Sequence, residues 1–292
     1  MNTQETLAYW LENYPDYKDE IEAITDDKER EDRFYRSLEF GTAGMRGVLG
    51  AGENRMNAAI IRRVSIALAD VIKTDAIYSE DRHVVIGFDS RRMSAEFAME
   101  TARTLATFGI KCRLFDSLRP VPALSFAIRH TKAIAGVEIT ASHNPPQYNG
   151  YKVYWSDGAQ MPPAQADAIV LRLKDDPAFV PISEAEARSR GLILPVPEEA
   201  DDAYVAYVSD LAIQKDMLRR HGGELEIAYT PLHGAGLIPV KRVLANVGIT
   251  NLSVVKEQEK PDGEFPTVRV PNPEIAETMS MVVELANKIG AD

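Results

Sequence analysis

The sequence predicts an α/β fold in which mixed sheets are sandwiched between helices. Short apolar runs alternate along the chain with longer segments whose apolar residues recur every three or four positions. Glycine, proline, asparagine and aspartate mark the junctions between these segments. The alternation of strand and helix predicts a largely parallel or mixed sheet with helices on both faces. A length of 292 residues leaves room for about two domains.

The first predicted elements are helical. Residues 1–38 are rich in charge, and we expect them to form a helical arm at the periphery rather than part of the core. Asn57 suits the N-cap of the next helix. The apolar residues of that helix keep the spacing of one buried face, at Ile61, Val64, Leu68 and Val71.

Strands and helices then alternate as far as residue 139. Residues 83–88 predict a short apolar strand, and Asp89-Ser90-Arg91 predicts a turn. Residues 95–108 predict a helix that ends at Gly109. The elements predicted next are a strand over 110–115, a helix over 123–129 and a strand over 133–139.

A change of composition predicts a boundary between two units. Prolines and glutamates are frequent in the segment that holds Pro177, Pro181, Pro195 and Pro197, which favours a linker or surface excursion. Beyond it we expect a helix from about residue 201, strands over 225–229 and 253–256, and a helix over 237–245. The predicted division is a helical arm over 1–38, a first domain over 39–198 and a second domain over 199–292.

Composition excludes several classes of function. Apolar residues at 45% and charged residues at 26% are typical of a soluble globular protein. The net charge of −11 argues against a general nucleic-acid binder. Cys112 is the single cysteine, so an internal disulfide is excluded and a reducing cytoplasm is favoured. No apolar run reaches membrane-spanning length, and the acidic N-terminus carries no signal-peptide pattern.

The most informative segment covers residues 140–146, directly after the predicted strand over 133–139. Two successive prolines at its end lack backbone N–H groups and push the preceding residues toward extended geometry, so a helix does not readily form. Asn149-Gly150 adds a further predicted turn. Ser142 therefore lies where a strand ends and a rigid loop begins, a common location for chemistry on an α/β scaffold.

The residue types alone leave Ser142 open to a simpler interpretation, an ordinary turn whose serine caps a following helix. A Ser-His-Asp hydrolase is excluded locally, because the adjacent Ser142 and His143 do not present their side chains to each other as nucleophile and base. Residues 140–152 nevertheless resemble, without interruption, the signature of the α-D-phosphohexomutases, the family of phosphoglucomutases and phosphomannomutases. The resemblance extends over nearly all of the chain from about Phe40.

The resemblance implies a phosphoryl-transfer mechanism. Ser142 matches the serine that is phosphorylated and that exchanges its phosphoryl group with a hexose phosphate through a bisphosphate intermediate. Lys152 matches the family's general acid or base near the sugar hydroxyl, whereas an isolated lysine would by default be solvated. The resemblance also implies that His143 and Arg46 stabilise the phosphoserine and that Asn144 holds the loop.

Two upstream segments also resemble the family. Residues 41–47 contain three glycines, so their backbone N–H groups could wrap an anion while Arg46 adds a charge-assisted bond. Thr42 and Gly44 are the candidate phosphate contacts in this loop. Residues 87–91 resemble a second family segment, and we expect Arg91 either to contact substrate or to belong to a helix-capping turn.

One loop of the second domain bears on the site. Residues 230–236 follow a predicted strand, precede a predicted helix, and resemble a family loop that faces the active cleft. A lone histidine is more often structural, so we expect His233 either to line the site or to support the fold, with proton transfer disfavoured. Residues 261–267 and 271–274 also resemble family segments, and we expect them to be turn-rich connections.

The resemblance implies Mg²⁺ as the electrophile, bound by a phosphate oxygen on Ser142 together with carboxylates of the second domain. In the family those carboxylates form an Asp-x-Asp-x-Asp-Arg run shortly after a Gly-Ala-Asp. This sequence reaches Gly290-Ala291-Asp292 and contains no such run. The resemblance therefore implies a complete first domain, a truncated second domain and no third or fourth domain. We expect little mutase activity from this chain alone.

Two functions remain open on sequence grounds. The first is a phosphohexomutase, an intramolecular phosphotransferase that interconverts hexose 1-phosphate and hexose 6-phosphate, with glucose favoured over mannose and pentose phosphates. The second is a non-catalytic module that binds phosphate or sugar phosphate and associates with another chain. Neither function involves nucleic acid or a membrane, and the sequence predicts no oligomeric state.

Overall fold

The computed structural model describes residues 2–173 and 179–292, so Pro177 of the predicted linker lies outside the described residues. The strands are β1 (Met45–Val48), β2 (His83–Phe88), β3 (Lys111–Leu114), β4 (Ala135–Ile139), β5 (Tyr148–Trp155), β6 (Ile193–Pro195), β7 (Glu226–Tyr229) and β8 (Asn251–Val254). The α-helices are α1 (Thr3–Asn13), α2 (Lys18–Glu22), α3 (Asp27–Phe34), α4 (Ala58–Thr74), α5 (Ser94–Thr107), α6 (Val121–His130), α7 (Pro163–Arg172), α8 (Glu184–Ser189), α9 (Glu198–Asp210), α10 (Lys215–His221), α11 (Leu237–Asn246), α12 (Lys256–Glu259) and α13 (Ser280–Ile289).

Six of the described strands form one mixed sheet, in the order β1-β5-β4-β2-β3-β6. Strand β2 pairs in parallel with β3 and β4, and β6 adds parallel to β3. Strand β5 runs antiparallel to β4 and to β1. The predicted α/β class with a mixed sheet is therefore confirmed.

Helices cover both faces of this sheet, because successive residues of a strand point to opposite sides. Val84 and Ile86 of β2 belong to the larger core, which they share with residues of α4 and α5. Val85 faces the other way and packs in a smaller core with residues of α6. The carboxyl ends of β2 and β4 thus reach the same edge of the sheet, where the Ser142 loop begins.

Helix α4 begins where the sequence predicts. The side-chain oxygen of Asn57 accepts a hydrogen bond from the backbone N–H of Ile60 at 3.0 Å, as expected of an N-cap. The predicted apolar face is buried in the larger core, at Ile61, Val64, Leu68 and Val71. The periodicity of the apolar residues was sufficient to identify this helix.

The N-terminal helices belong to the core, so the prediction of a peripheral arm is wrong. Trp10 of α1 is 0% exposed, and its indole N–H donates to Glu53 Oε2 at 3.1 Å. Phe34 of α3 is also buried, and its ring centroid lies 6.1 Å from that of Trp10. Residues 1–38 as a whole are rich in charge, and the average composition therefore suggested a solvated surface.

Part of the predicted linker instead completes the first sheet. Helix α8 is followed by β6, which pairs with β3 and extends the sheet. Pro195 ends this strand at the edge of the described sheet, where a proline is tolerated because no further strand needs its missing N–H. The domain boundary near residue 198 stays a prediction.

Asn149 and Gly150 lie within β5, so the turn predicted there is wrong. A Cβ atom on Gly150 would lie 2.6 Å from Thr140 O and 2.8 Å from Met45 O, so a glycine allows the flanking strands to approach. Asn149 is buried, and its side-chain amide donates to Arg92 O at 2.8 Å. Both residues bind β5 to its neighbours rather than reverse the chain.

A second, parallel sheet contains β7 and β8, and α11 connects them as the sequence predicts. Helix α13 packs against β7, while α9 packs against both α11 and α6 of the first unit. The sequence did not predict α7, α10 or α13. Within the described residues, no helix combines the length and the apolar character needed to cross a membrane.

Replacement of Trp10 tests whether the N-terminal helices belong to the core. We expect Trp10→Ala to lower the free energy of unfolding by about 3–5 kcal/mol, because it removes a fully buried ring. Ile213→Ala is the control, since this 95% exposed side chain should contribute less than about 0.5 kcal/mol. Urea denaturation measures both values, and equal midpoints for the two variants would contradict the packing of α1.

Candidate functional site

Ser142 lies in the loop after β4, and the residue is exposed. Its φ of +55° is left-handed, a conformation that serine seldom adopts. The backbone N–H of Ser142 donates to Thr140 Oγ1 at 3.0 Å, and Thr140 Oγ1 donates in turn to Asp89 Oδ2 at 2.6 Å. These bonds tie the serine loop to the turn that follows β2.

The Arg91 side chain binds the backbone of the same loop. Its side chain is only 1% exposed. One guanidinium nitrogen donates to Ser142 O at 2.8 Å and Asn144 O at 2.5 Å, and the other donates to Pro145 O at 3.0 Å and Tyr148 O at 3.1 Å. A planar fork with fixed donors suits such a convergence of carbonyl groups. Arg91 therefore binds four backbone carbonyls, of which Pro145 O also accepts a hydrogen bond from the backbone N–H of Tyr148 at 3.1 Å.

The structure assigns Arg91 to the helix-capping turn rather than to a substrate contact. Asp89 Oδ1 accepts hydrogen bonds from the backbone N–H of Arg91 at 2.9 Å and from Ser94 Oγ at 2.7 Å, at the start of α5. Burial raises the pKa of the Asp89 carboxyl, while these hydrogen bonds and Arg91 oppose the increase. Because the Arg91 guanidinium is enclosed and occupied, the expectation that it contacts substrate is corrected to a supporting role.

A turn of the second unit docks on this region. A Cβ atom on Gly263 would lie 2.6 Å from Arg92 N and 2.8 Å from Ser90 O, so only glycine allows so close an approach. Phe265 follows with a φ of +48°, and its ring centroid lies 5.1 Å from Arg91 Cζ. The segment 261–267 therefore contacts the residues that hold the serine loop, in keeping with the expected architectural role.

Arg46, Asn144 and Lys152 surround one side of Ser142. The register of β1 against β5 places Arg46 opposite Gly150, close to the serine loop. The exposed Arg46 donates from Nη1 to Asn144 Oδ1 at 3.2 Å. A cavity of about 560 Å³ is lined by Arg46, Ser142 and Lys152 among other residues. The structure thus brings together the serine, the lysine and the arginine that the sequence singled out.

Gly44 and Thr42 have different positions around that cavity. Gly44 lines it, but its N–H donates to Gly41 O at 2.8 Å and is not directed at an anion. Its φ is +85°, and a Cβ atom there would lie 2.0 Å from Tyr151 O, so the position requires glycine. The Gly44 N–H is thus already bonded within the turn, and its role in phosphate binding stays a prediction. Thr42 is exposed at the tip of the same turn.

Lys152 is half-buried on β5 and has an altered affinity for protons. Burial lowers the pKa of its ammonium group, while the carboxyl groups of Glu138 and Asp89 oppose this effect. Arg46 and Arg91 lower the pKa further by charge repulsion. A lysine with a lowered pKa is a better candidate for proton transfer than a solvated one.

His143 lies on the other side of Ser142. Both residues are exposed and line a second cavity of about 290 Å³ between the two units. Arg119 and Glu138 line this cavity too, and neither was singled out from the sequence. Arg119 pairs with Asp201 at 2.6 Å, which links α9 to the cavity wall.

His233 does not line either cavity. The residue is 2% exposed, with Nδ1 lying 3.2 Å from Lys260 O and Nε2 lying 3.0 Å from Thr267 Oγ1. Its neighbours Leu232 and Gly234 form the cavity wall instead. Of the two alternatives for His233, the structure supports the structural one, because both ring nitrogens already have partners.

The described residues do not fit a complete Mg²⁺ site around Ser142. No group of three or more His, Cys, Asp or Glu side chains converges in the described part of the chain. The cavity carboxyls are poor candidates, since Asp89 is occupied by hydroxyl and backbone donors and burial raises the pKa of Glu138 well above its usual value. Mg²⁺ prefers ionised oxygen ligands with several waters.

Two successive α/β units, the first with a serine loop at the carboxyl edge of its sheet, define the class of fold. A sequence model described as phosphoglucomutase/phosphomannomutase, alpha/beta/alpha domain I, matches residues 37–178. The corresponding alpha/beta/alpha domain II matches residues 202–292. These matches cover well over half of the sequence, and the chain belongs to the phosphoglucomutase/phosphomannomutase family.

Curated relatives and solved structures agree with this assignment. A phosphoglucomutase of Staphylococcus epidermidis is 36% identical over 268 residues, which are 91% of this chain and 47% of that protein. A phosphoglucomutase of Staphylococcus saprophyticus is 34% identical over 97% of this chain and 51% of its own length. A Thermus thermophilus protein, provisionally described as a phosphomannomutase, superposes with a TM-score of 0.68 at 28% identity, covering 85% of this chain and 51% of that one. The chain spans about half the length of the curated relatives it matches.

Arg91→Lys tests the role of the guanidinium in the serine loop. We expect the variant to lower the free energy of unfolding by about 2–4 kcal/mol and to accelerate amide exchange over residues 142–148, because a single ammonium group with three donors cannot satisfy four carbonyls. Hydrogen exchange with mass spectrometry measures the local change. Arg92→Lys is the matched control on the exposed neighbour that pairs with Glu264. Equal exchange in the two variants would contradict the role of Arg91.

Proposed function

We propose that this chain is part of a phosphohexomutase, an intramolecular phosphotransferase that interconverts hexose 1-phosphate and hexose 6-phosphate, with glucose as the favoured hexose. The observation that carries the proposal is the exposed Ser142, held in a left-handed conformation on a rigid loop, with Arg46 and Lys152 lining the same cavity. Membership of the family supports the same reaction.

In the proposed reaction, phosphorylated Ser142 gives its phosphoryl group to a sugar hydroxyl. The bond between Ser142 Oγ and phosphorus breaks as the new bond from the sugar oxygen forms, and Lys152 accepts the proton of that hydroxyl. The resulting hexose bisphosphate returns its other phosphoryl group to Ser142, and Lys152 supplies the proton to the departing sugar oxygen. One phosphoryl group is thus exchanged between two positions of the same sugar with no net consumption.

The electrostatic requirement of this reaction fits the residues around Ser142. Phosphoryl transfer proceeds through a loose transition state, in which catalysis depends on positioning and neutralisation of charge. Arg46 lies on one side of Ser142 and His143 on the other. We propose that both stabilise the phosphate on Ser142 and that Asn144, which accepts a hydrogen bond from Arg46, fixes the guanidinium.

Among the residues of this site, only Ser142 is proposed to bind the metal, through its phosphate. A Mg²⁺ ion, as implied by the family, would neutralise a phosphate oxygen on this serine when it is bound. Carboxylate ligands would have to come from residues other than those that surround Ser142 in the described chain. We therefore expect weak binding of Mg²⁺ and little sustained mutase activity from this polypeptide alone. We also propose a reducing cytoplasmic location, with which the buried and unpaired Cys112 is compatible.

The second candidate function is a non-catalytic module that binds phosphate or sugar phosphate and associates with another chain. One observation favours it: the described residues contain no cluster of three or more carboxyl, His or Cys side chains that could hold a metal. A module of this kind would bind glucose 6-phosphate without transferring a phosphoryl group.

A phosphorylation experiment separates the two functions. We expect incubation with glucose 1,6-bisphosphate and Mg²⁺ to add one phosphate to the peptide that contains Ser142, because this hydroxyl is exposed on a fixed loop. Ser142→Ala should abolish the addition, and Ser79→Ala, at an exposed serine far along the sequence, should leave it unchanged. Peptide mass spectrometry identifies the site. Binding of glucose 6-phosphate without any phosphorylation would favour the non-catalytic module.

Lys152→Arg tests the proposed proton transfer. We expect the transfer of phosphate from the chain to glucose 1-phosphate to fall by about 100-fold or more, because arginine remains protonated and cannot accept a proton. In the unmodified chain the rate should rise with pH and level off below the usual range of a lysine, since burial lowers the pKa of Lys152. Lys111→Arg, at a partly exposed lysine of β3 that pairs with Asp81, is the control. A rate unchanged by Lys152→Arg would contradict the role of Lys152.

A further inference from the structure

Glu138 is a buried carboxyl that neither the serine loop nor the proposed reaction uses. The residue is 1% exposed, although it borders the cavity beside Ser142. Among the described residues, its Oε2 atom has no hydrogen-bond partner. A buried polar atom without a partner costs free energy, so a function is a reasonable explanation for its presence.

The neighbouring strand leaves space for this carboxyl. Glu138 of β4 is in register with Gly87 of β2. A Cβ atom on Gly87 would lie 2.3 Å from Glu138 Oε2, so any larger residue at position 87 would displace the carboxyl. Leu124 of α6 closes the same space from the helix side. The carboxyl therefore occupies a defined and largely apolar enclosure.

Glu138 is also the direct cross-strand partner of Lys152. The antiparallel register of β4 and β5 pairs the two residues, so both side chains lie on the same face of the sheet. Tyr154, two positions further along β5, shares this face. From β5 the charged and titratable groups near Glu138 are thus Lys152 and Tyr154, and from the turn after β2 the group is Asp89.

The two carboxyls near Lys152 have opposite surroundings. Asp89 accepts hydrogen bonds from Thr140, Ser94 and the Arg91 backbone, which favour its ionised form. Glu138 has no such donor on Oε2, and burial followed by the charge of Asp89 raises its pKa well above the usual value. Pairs of titratable groups with different surroundings often divide the roles of acid and base in a site.

We propose that Glu138 is a positioning residue of this site. Its carboxyl packs against Gly87, and the charge of Glu138 sets the pH range in which Lys152 exchanges protons. This role of Glu138 rests on the proposed function only in one respect, namely that Lys152 transfers protons in the reaction. Burial lowers the pKa of Lys152 and raises that of Glu138, and the charge of each group favours the ionised form of the other. Ionised Glu138 then holds Lys152 in its charged form to a higher pH.

The direct test measures the titration of Lys152 in the resting chain. Reaction with acetic anhydride, followed by peptide mass spectrometry across a range of pH, gives the midpoint at which Lys152 becomes reactive. We expect Glu138→Gln to move this midpoint downward by roughly one pH unit, because an opposite charge near the ammonium group is lost. The Lys152 reactivity at neutral pH should therefore rise by about 10-fold, the same shift expressed as a rate.

Controls separate a local charge effect from a general one. Glu96→Gln makes the same change on the exposed surface of α5 and should leave the Lys152 midpoint unchanged. Lys111, which pairs with Asp81 on the surface, is measured in the same digest, and its acetylation should be the same in every variant. Glu138→Asp keeps the charge and should restore part of the shift. An unchanged Lys152 midpoint in folded Glu138→Gln would overturn the proposal.

A second measurement uses the unaltered chain, in case Glu138→Gln fails to fold. The side-chain carboxyl carbon of assigned, ¹³C-labelled Glu138 should titrate well above the usual glutamate range. Titration of Glu138 within the usual glutamate range would overturn the proposal. Neither experiment requires phosphorylation of Ser142 or mutase activity. If the proposed reaction fails, the titration results can therefore still be interpreted. If the titration results contradict the role of Glu138, the proposed reaction is likewise unaffected.

Discussion

The buried guanidinium of Arg91 is the interaction on which the site depends. A loop with two successive prolines cannot satisfy its own carbonyl groups through a helix or a sheet, and Arg91 binds four of them at once. The same side chain contacts the ring of Phe265, which belongs to the second unit. The Arg91 side chain therefore stabilises both the position of Ser142 and the docking of the second unit beside it.

Much of the fold followed from the sequence because its elements carry local signals. The apolar spacing of α4 and the short runs of β2 and β4 predicted those elements within a few residues of their observed ends. The burial of Trp10 and Phe34 was missed because the high charge of residues 1–38 outweighed the few apolar residues among them, and because the contact of Trp10 with Glu53 is long-range. Asn149-Gly150 had the composition of a turn, but contacts with β1 and the start of α5 hold it in an extended strand. Tertiary contacts overrode local preference at these positions.

The candidate site was predicted in part for the same reason. Ser142, Lys152 and Arg46 were identified from a continuous motif and a glycine-rich segment, and they line one cavity. The support from Arg91 could not be predicted, because it depends on carbonyl groups more than fifty residues away. Glu138 left a usable signal, a lone charge within the apolar run 133–139. A charge in a strand that is buried on both faces is costly, and that cost could have marked the residue.

We propose that Arg91 prepares Ser142 for phosphoryl transfer by fixing its loop. Rapid-quench measurement of Ser142 phosphorylation by labelled glucose 1,6-bisphosphate, at saturating substrate, tests this claim most directly. Loss of a fixed orientation should slow the reaction of Arg91→Lys by about 100-fold relative to Arg92→Lys. Equal rates in the two variants, both folded, would contradict the claim, as would the absence of phosphorylation at Ser142 in the unmodified chain.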